Sequence, residues 1–241
     1  MQKLYKELAH HFPQLTGFLT NTKKEVAKLH KIFRKHKVKK ILDVACGTGR
    51  HSVPLAKLGY KVTGIDYSKF QIREAQKYAK GEEVKVKFLL KDANNFLFRN
   101  RFDAVICMWT TIGEEPMVYE QVISNVYKSL KKDGVFVIDN NTWEYIPKSR
   151  KQHIKNKIDI GKDVLEQSIY DRFTEHFRIR EAIIKIGGKK YADLCITQIK
   201  KPYEWAEELK KAGFVKTKII SNYKVEDNWH TKRNALVIGI K

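Results

Sequence analysis

The chain has 241 residues, a length that usually folds as one α/β domain with at most an elaboration, rather than as two independent cores. Hydrophobic residues make up 42% of it but no stretch nears twenty consecutive apolar residues, and no signal-type apolar run follows Met1-Gln2-Lys3, so neither a membrane span nor secretion is expected and the location is read as cytoplasmic. Lys plus Arg 48 against Asp plus Glu 27 gives +21, which brings anionic partners into question, while Cys46, Cys107 and Cys195 stand too far apart for a CxxC pair and signal neither a disulfide framework nor zinc.

In chain order, Leu4-Tyr5-Lys6-Glu7-Leu8-Ala9 reads as an amphipathic surface helix with Leu4, Leu8 and Phe12 inward. A basic helix over 21–36 follows: Thr22 and Glu25 form a capping-box pattern, and Val26, Leu29 and Phe33 recur at helical spacing between lysines. Strands at 41–45, 61–65, 84–90, 102–108 and 135–138 then alternate with helices at 50–58, from Ser68 to before Gly81, and from Pro116 to about Leu130. Ser68 with Gln71 is a second capping box, and Asp133-Gly134 reads as a turn. Strand–helix alternation implies a parallel sheet. After Asn140 the rhythm changes to strands at 164–172, 177–186 and 191–198, with Gly187-Gly188 as a hairpin turn. Pro202 opens a helix that Gly213 ends, and strands at 217–223 and 235–240 return without a helix between them, hence antiparallel.

Ligands of open α/β sheets bind beyond the carboxyl ends of the strands where strand order reverses, and Cys46-Gly47-Thr48-Gly49 falls there, with glycines that let the backbone approach a ligand. Asp66 ends the second strand, where a carboxylate meets the two hydroxyls of an adenosine ribose. The run Ile41-Leu42-Asp43-Val44-Ala45-Cys46-Gly47-Thr48-Gly49-Arg50-His51, followed by Gly64-Ile65-Asp66-Tyr67-Ser68, closely resembles the first two motifs of the Rossmann-like (class I) S-adenosylmethionine-dependent methyltransferases. Lys91-Asp92-Ala93 resembles that family's adenine-binding motif, Arg101-Phe102-Asp103-Ala104-Val105 its fourth strand and Leu130-Lys131-Lys132-Asp133-Gly134-Val135 its fifth. The resemblance covers about residues 38–140, with a weaker echo at Ala212-Gly213-Phe214.

The resemblance implies S-adenosylmethionine as cofactor and S-adenosylhomocysteine as product. It also implies a mostly parallel seven-stranded sheet with an antiparallel last strand, plus a small antiparallel insertion after the fifth strand. Gly47 and Gly49 would face the methionine and ribose part, Asp66 would hold the ribose hydroxyls, Tyr67 would pack on adenine, and Asp92 with the Ala93 amide would read the adenine edge; Asp43, Cys46, Thr48 and Met108 complete the expected set. A diol donates well to a carboxylate, and adenine's amino group beside a ring acceptor suits one carboxylate and one backbone amide. The rival cofactor NAD favours a third glycine for helix packing, a position occupied by Ser52, and the phosphate-cradling GxxxxGK[ST] run is absent from the sequence. The expected division is 1–37 as an N-terminal helical lid, 38–141 as cofactor-binding core, 142–201 as substrate-covering insertion and 202–241 as closing helix and strands.

Methyl transfer from a sulfonium is a direct displacement, so alignment and exclusion of water can supply much of the catalysis without a protein nucleophile. A base matters only if the acceptor must lose a proton; Asp139, Asn141 and Glu144 are candidates near strand ends, with Tyr5 and Trp109 as pocket walls, and spacing does not choose among them. The segment Met108-Trp109-Thr110-Thr111-Ile112-Gly113-Glu114-Glu115 carries neither the Asp-Pro-Pro-Tyr-like phrase of nucleobase amino-methylating enzymes nor the Pro-Cys of cytosine-carbon methylases. Together with the insertion and the N-terminal tyrosine, it looks closest to the glycine and small-molecule N- or O-methyltransferases. In the insertion, Tyr170, Phe173 and Phe177 are candidate apolar walls, and Arg172, Arg178 and Arg180 candidate partners for an acceptor carboxylate or phosphate. No metal is assigned, since His10-His11 has no second cluster. Residues 1–50 carry 12 basic and 3 acidic groups and 101–150 carry 6 and 7, so the positive excess is peripheral to the site. The expected acceptor is therefore a small molecule, with RNA (tRNA) methylation second and a non-catalytic cofactor-binding regulator third; abundant Lys and Glu with scarce Cys and Met fit a thermophile.

Overall fold

The computed structural model describes residues 6–11, 18–109, 111–141, 146–161, 163–221 and 234–241. Short β-branched runs build the central strands β1 (Lys40–Val44), β2 (Lys61–Asp66), β3 (Lys87–Leu90), β4 (Phe102–Cys107) and β5 (Leu130–Asn141). Helices α1 (Phe18–Lys35), α2 (Ser52–Lys57), α3 (Lys69–Gly81) and α4 (Tyr119–Ser129) alternate with them. Four strands of the insertion follow: β6 (Lys151–Asp159), β7 (Val164–Phe173), β8 (Phe177–Ile186) and β9 (Lys189–Gln198). Helix α5 (Pro202–Lys211), β10 (Lys216–Ser221) and β11 (Asn234–Ile240) end the chain.

The main sheet has the order β10-β11-β5-β4-β1-β2-β3. β11 runs antiparallel to both its neighbours, while β1 pairs in parallel with β2 and β4. The chain therefore reverses direction of travel across the sheet between β1 and β4. Helices cover both faces, so Ile41 through Val44 are all buried. On one face Leu42, Val44 and Phe136 pack against Val122 and Val126 of α4 and Trp205 and Leu209 of α5. On the other, Ile41, Ile106 and Val137 meet Val26, Leu29 and Phe33 of α1 and Leu55 of α2.

Three local readings differ from the sequence expectation. Helix α1 begins at Phe18, which places Thr22 and Glu25 inside it rather than at a cap. Asp133-Gly134 is not a turn before β5 but an excursion within it: Phe102 pairs with Leu130 and Ala104 with Val135, and Asp133 takes a positive φ of 61°. β6, unrecognised in the sequence, is the outer strand of the second sheet, ordered β6-β7-β8-β9 with antiparallel pairing throughout.

The second sheet is two-faced. Leu165, Asp171, Phe173, Ala182, Ile184, Cys195 and Thr197 are buried, whereas Tyr170 and Phe177 stay 39% and 40% exposed. Leu8 packs on its inner face with Leu165, Ala182 and Ile184. Strand alternation thus splits the expected walls: Phe173, Arg178 and Arg180 lie on the inner face, while Tyr170 stacks on His153 outside at 4.1 Å and Arg172 is exposed.

Candidate active site

The loops after β1, β2, β3 and β4 converge on one pocket at the carboxyl edge of the sheet, at the reversal between β1 and β4. Asp43, Cys46, Gly47, Thr48, Asp66, Tyr67, Asp92, Ala93, Met108 and Trp109 all line it. Gly49 does not. Its φ is +83°, and a side chain there would press on Phe88, Ala75 and Val53 at 3.1–3.4 Å, so this glycine serves the close packing of loop against α3 and β3.

The loop is fixed from below. Asp43, 2% exposed, accepts the Ser52 hydroxyl at 2.6 Å, and burial raises its carboxyl above the usual range against the opposing pull of His51, Ser52 and Arg50. Ser52, standing where a dinucleotide loop would carry its third glycine, therefore ties the head of α2 back to β1. Ala45 and Gly47 adopt positive φ of 56° and 53°, turning the chain over the strand end. Asp66 is 6% exposed; its two oxygens each accept one backbone N–H, from Gly47 and from Ser68, both at 2.9 Å. Burial still pushes this carboxyl up to about 6, the two N–H donors offsetting only part of the desolvation.

On the adenine side expected from the sequence, the Asp92 carboxylate accepts the Asn94 N–H at 2.8 Å. Asn94 in turn donates to the Pro116 carbonyl and accepts the Val118 N–H, while Asn125 of α4 donates to the Asn94 carbonyl at 2.8 Å. Neither asparagine stood out in the sequence; a polar side chain repeated beside Asp92 was the available signal. Tyr67 is 42% exposed at the pocket, and partial burial pushes its hydroxyl up to about 12, so it stays neutral.

Among the expected acceptor residues, Trp109 lines the pocket at a positive φ of 70°, held by its N–H to Asp139 at 3.1 Å. Asp139 is 1% exposed, does not line the pocket, and supports the Trp109 backbone. Asn141 pairs through its backbone with Asn234; its side chain, Tyr5 and Glu144 lie outside the described residues.

A second support was hidden by the capping-box reading. Glu25, fully buried in α1, accepts from Arg50 and from His51 at 2.8 Å, and Thr22 accepts the Arg50 Nε at 2.8 Å. The Arg50 guanidinium also lies 5.5 Å from the centre of the Trp109 ring. The far wall, Glu114 to Met117, is joined to the insertion: Glu114 bridges Thr197, and the Glu115 N–H donates to the Ile196 carbonyl at 3.0 Å. Gly113 permits this, since any Cβ there would fall 2.6 Å from the Gln198 carbonyl. Among the described residues no group of three His, Cys, Asp or Glu side chains could hold a metal ion, and no helix is long and apolar enough to cross a membrane.

This sheet order belongs to a Rossmann-like fold that the chain shares with solved structures of S-adenosylmethionine-dependent methyltransferases. Residues 41–134 match the family described as methyltransferase domain. Among relatives, the ubiquinone biosynthesis O-methyltransferase of Rickettsia akari is 36% identical over 98 residues, covering 41% of this chain and 38% of its own length. Glycine N-methyltransferase of Oryctolagus cuniculus is 28% identical over 154 residues, covering 55% and 52%. The chain thus spans about half the length of the curated relatives it matches. Solved structures share the fold over nearly the whole chain: an S-adenosylmethionine-dependent methyltransferase from Clostridium acetobutylicum has a TM-score of 0.75 at 16% identity, covering 97% of both chains. The sugar N-methyltransferase KedS8 from Streptoalloteichus sp. has a TM-score of 0.74 at 16% identity, covering 96% of this chain and 91% of its own.

Proposed function

We propose that this protein is an S-adenosylmethionine-dependent methyltransferase acting on N or O of a small-molecule acceptor. The observation that carries the reading is Asp66, a buried carboxylate at the end of β2 that flanks the Gly47 loop and keeps acceptor capacity on both oxygens. Each oxygen has used one lone pair on a backbone N–H, so a vicinal diol still finds an acceptor on each. Asp92, the Ala93 amide and Tyr67 would bind the adenine; Asp43, Cys46, Gly47, Thr48 and Met108 would frame the methionine part, and Gly49 would act through packing. When bound, S-adenosylmethionine supplies a methyl group on a sulfonium. The chain's own part is to align that methyl with the acceptor and to exclude water.

The division proposed is a lid at 1–37, a cofactor core at 38–141, an acceptor-covering insertion at 142–201 and closing elements at 202–241. The tie of Glu114 and Glu115 to β9, and Phe173 and Arg178 on the inner face, support the insertion as the specificity element, with Trp109 as a wall. The sugar, glycine and ubiquinone-pathway names of the relatives point to small acceptors. A cytoplasmic, high-temperature setting fits the Lys- and Glu-rich, Cys- and Met-poor composition. A groove lined by Lys40, Lys61, Lys85, Lys87 and Arg101 at the opposite end of the sheet favours RNA as the second reading.

Calorimetry with S-adenosylhomocysteine and with NAD tests the cofactor, and labelled-methyl transfer to metabolite and tRNA pools tests the acceptor. Binding of NAD alone would overturn the cofactor assignment, and labelled tRNA with no labelled metabolite would overturn the acceptor class.

A further inference from the structure

Helix α3 begins as a capping box should, yet only half of the box forms. The Ser68 hydroxyl accepts the Gln71 N–H at 3.4 Å, but the reciprocal bond, from the Ser68 N–H to the Gln71 side chain, is not made because that N–H donates to Asp66. The Gln71 amide is thereby released. It does not turn to solvent: the residue is 1% exposed, and neither its amide oxygen nor its amide nitrogen has a hydrogen-bond partner among the described residues. It lines the pocket, and its amide lies against the bare face of Gly47, 3.6 Å from where a Cβ would stand.

Such a buried amide is costly to keep, and helix propensity does not call for it, since an apolar side chain would fill the same place at lower cost. A ligand that restores both bonds removes this cost. Gly47 adjoins both groups, donating its N–H to Asp66 and leaving, for want of a Cβ, open space beside the Gln71 amide. A hydroxyl held there donates to the carboxylate and accepts from the amide, so both of its hydrogen-bonding roles are filled.

We infer that Gln71 is a further cofactor-binding residue, whose amide shares one ribose hydroxyl with Asp66. The inference rests on the cofactor reading above. Asp66 supplies charge and Gln71 supplies direction: one hydroxyl of the diol bonds both groups, and the other bonds the carboxylate alone. A ligand without that shared hydroxyl gains nothing from the amide.

The test is titration calorimetry of the full chain with S-adenosylhomocysteine and with its 2′-deoxy and 3′-deoxy analogues. Wild type, Gln71→Met and, should the first fold poorly, Gln71→Leu are compared. The expected result is a loss of about 10-fold for S-adenosylhomocysteine in the variant, a loss that disappears with one of the two deoxy analogues. The thermal midpoint without ligand should stay level or rise, because the orphaned amide is gone. Equal affinity of wild type and variant for S-adenosylhomocysteine, or the same loss with all three ligands, overturns the role of Gln71. If Asp66→Ala loses binding while Gln71→Met does not, the cofactor reading stands and this inference falls; if wild type fails to bind S-adenosylhomocysteine, both fall.

Discussion

Replacing Asp66 by Asn should change the pH dependence of stability in a way set by one carboxyl. Burial moves this group from 3.8 to about 6, so the folded chain keeps its proton to higher pH than the unfolded chain does. The stability attached to that proton is fully present below 3.8 and is lost as pH rises through 6. The gap corresponds to about 3 kcal/mol at full titration. Asn carries no proton to lose. It also surrenders one of the two backbone N–H bonds that Gly47 and Ser68 make to Asp66, which offsets the whole curve by about 1–2 kcal/mol without tilting it. Urea unfolding of both proteins, at intervals between about pH 4 and pH 7.5, isolates the tilt. Wild type should lose about 2–3 kcal/mol relative to the variant over that range, while the variant's affinity for S-adenosylhomocysteine falls by about 1–3 kcal/mol. A difference in stability that stays flat with pH would refute the argument that Asp66 is a desolvated carboxylate.

Gly49→Ala forces an L side chain to a φ of +83° and into Phe88 and Ala75, and should cost about 1–3 kcal/mol in chemical denaturation. Asp171→Ala leaves the Arg180 guanidinium without its two-pronged partner beneath the small sheet. Because Arg180 is a quarter exposed, the expected loss is about 2 kcal/mol, seen as faster amide exchange in β7 and β8 with S-adenosylhomocysteine affinity unchanged. All three cysteines are buried; burial holds Cys46 and Cys107 well above the usual thiol range and pushes Cys195 up to about 12. A thiol reagent at mildly alkaline pH should therefore react slowly with the native protein and with three equivalents after denaturation; a fast native thiol contradicts the packing.

The parts legible in the sequence were those where local chemistry and tertiary role coincide. Strands β1, β2 and β4 are apolar and buried on both faces, and the Gly47 loop with Asp66 announces itself by residue type. β6 escaped because an edge strand over the small sheet needs only Ile154 and Ile158 for its inner face and carries lysines elsewhere. The Asp133-Gly134 pair was read as a turn because that is what it does locally; only the pairing of Phe102 with Leu130 shows the strand resuming on its far side. Thr22 and Glu25, and Ser68 and Gln71, both carry the spacing of a capping box, yet neither pair completes one. In each case a side chain finds a distant partner or a pocket that spacing along the helix cannot reveal.

Glu25 shows what such a distant partner implies for descent. Its carboxylate holds Arg50 and His51 from a helix 25 residues upstream, and Arg50 reaches on to Trp109. Loss of Glu25 alone would take from Arg50 and His51 the acceptor they share, and loss of Arg50 and His51 would take two partners from a buried carboxylate. Single steps through either intermediate are costly, so lineages should exchange positions 25, 50 and 51 together, as an ionic set or as an apolar one. The first helix is in this sense inherited with the cofactor loop, although some twenty residues of chain and a whole strand separate them.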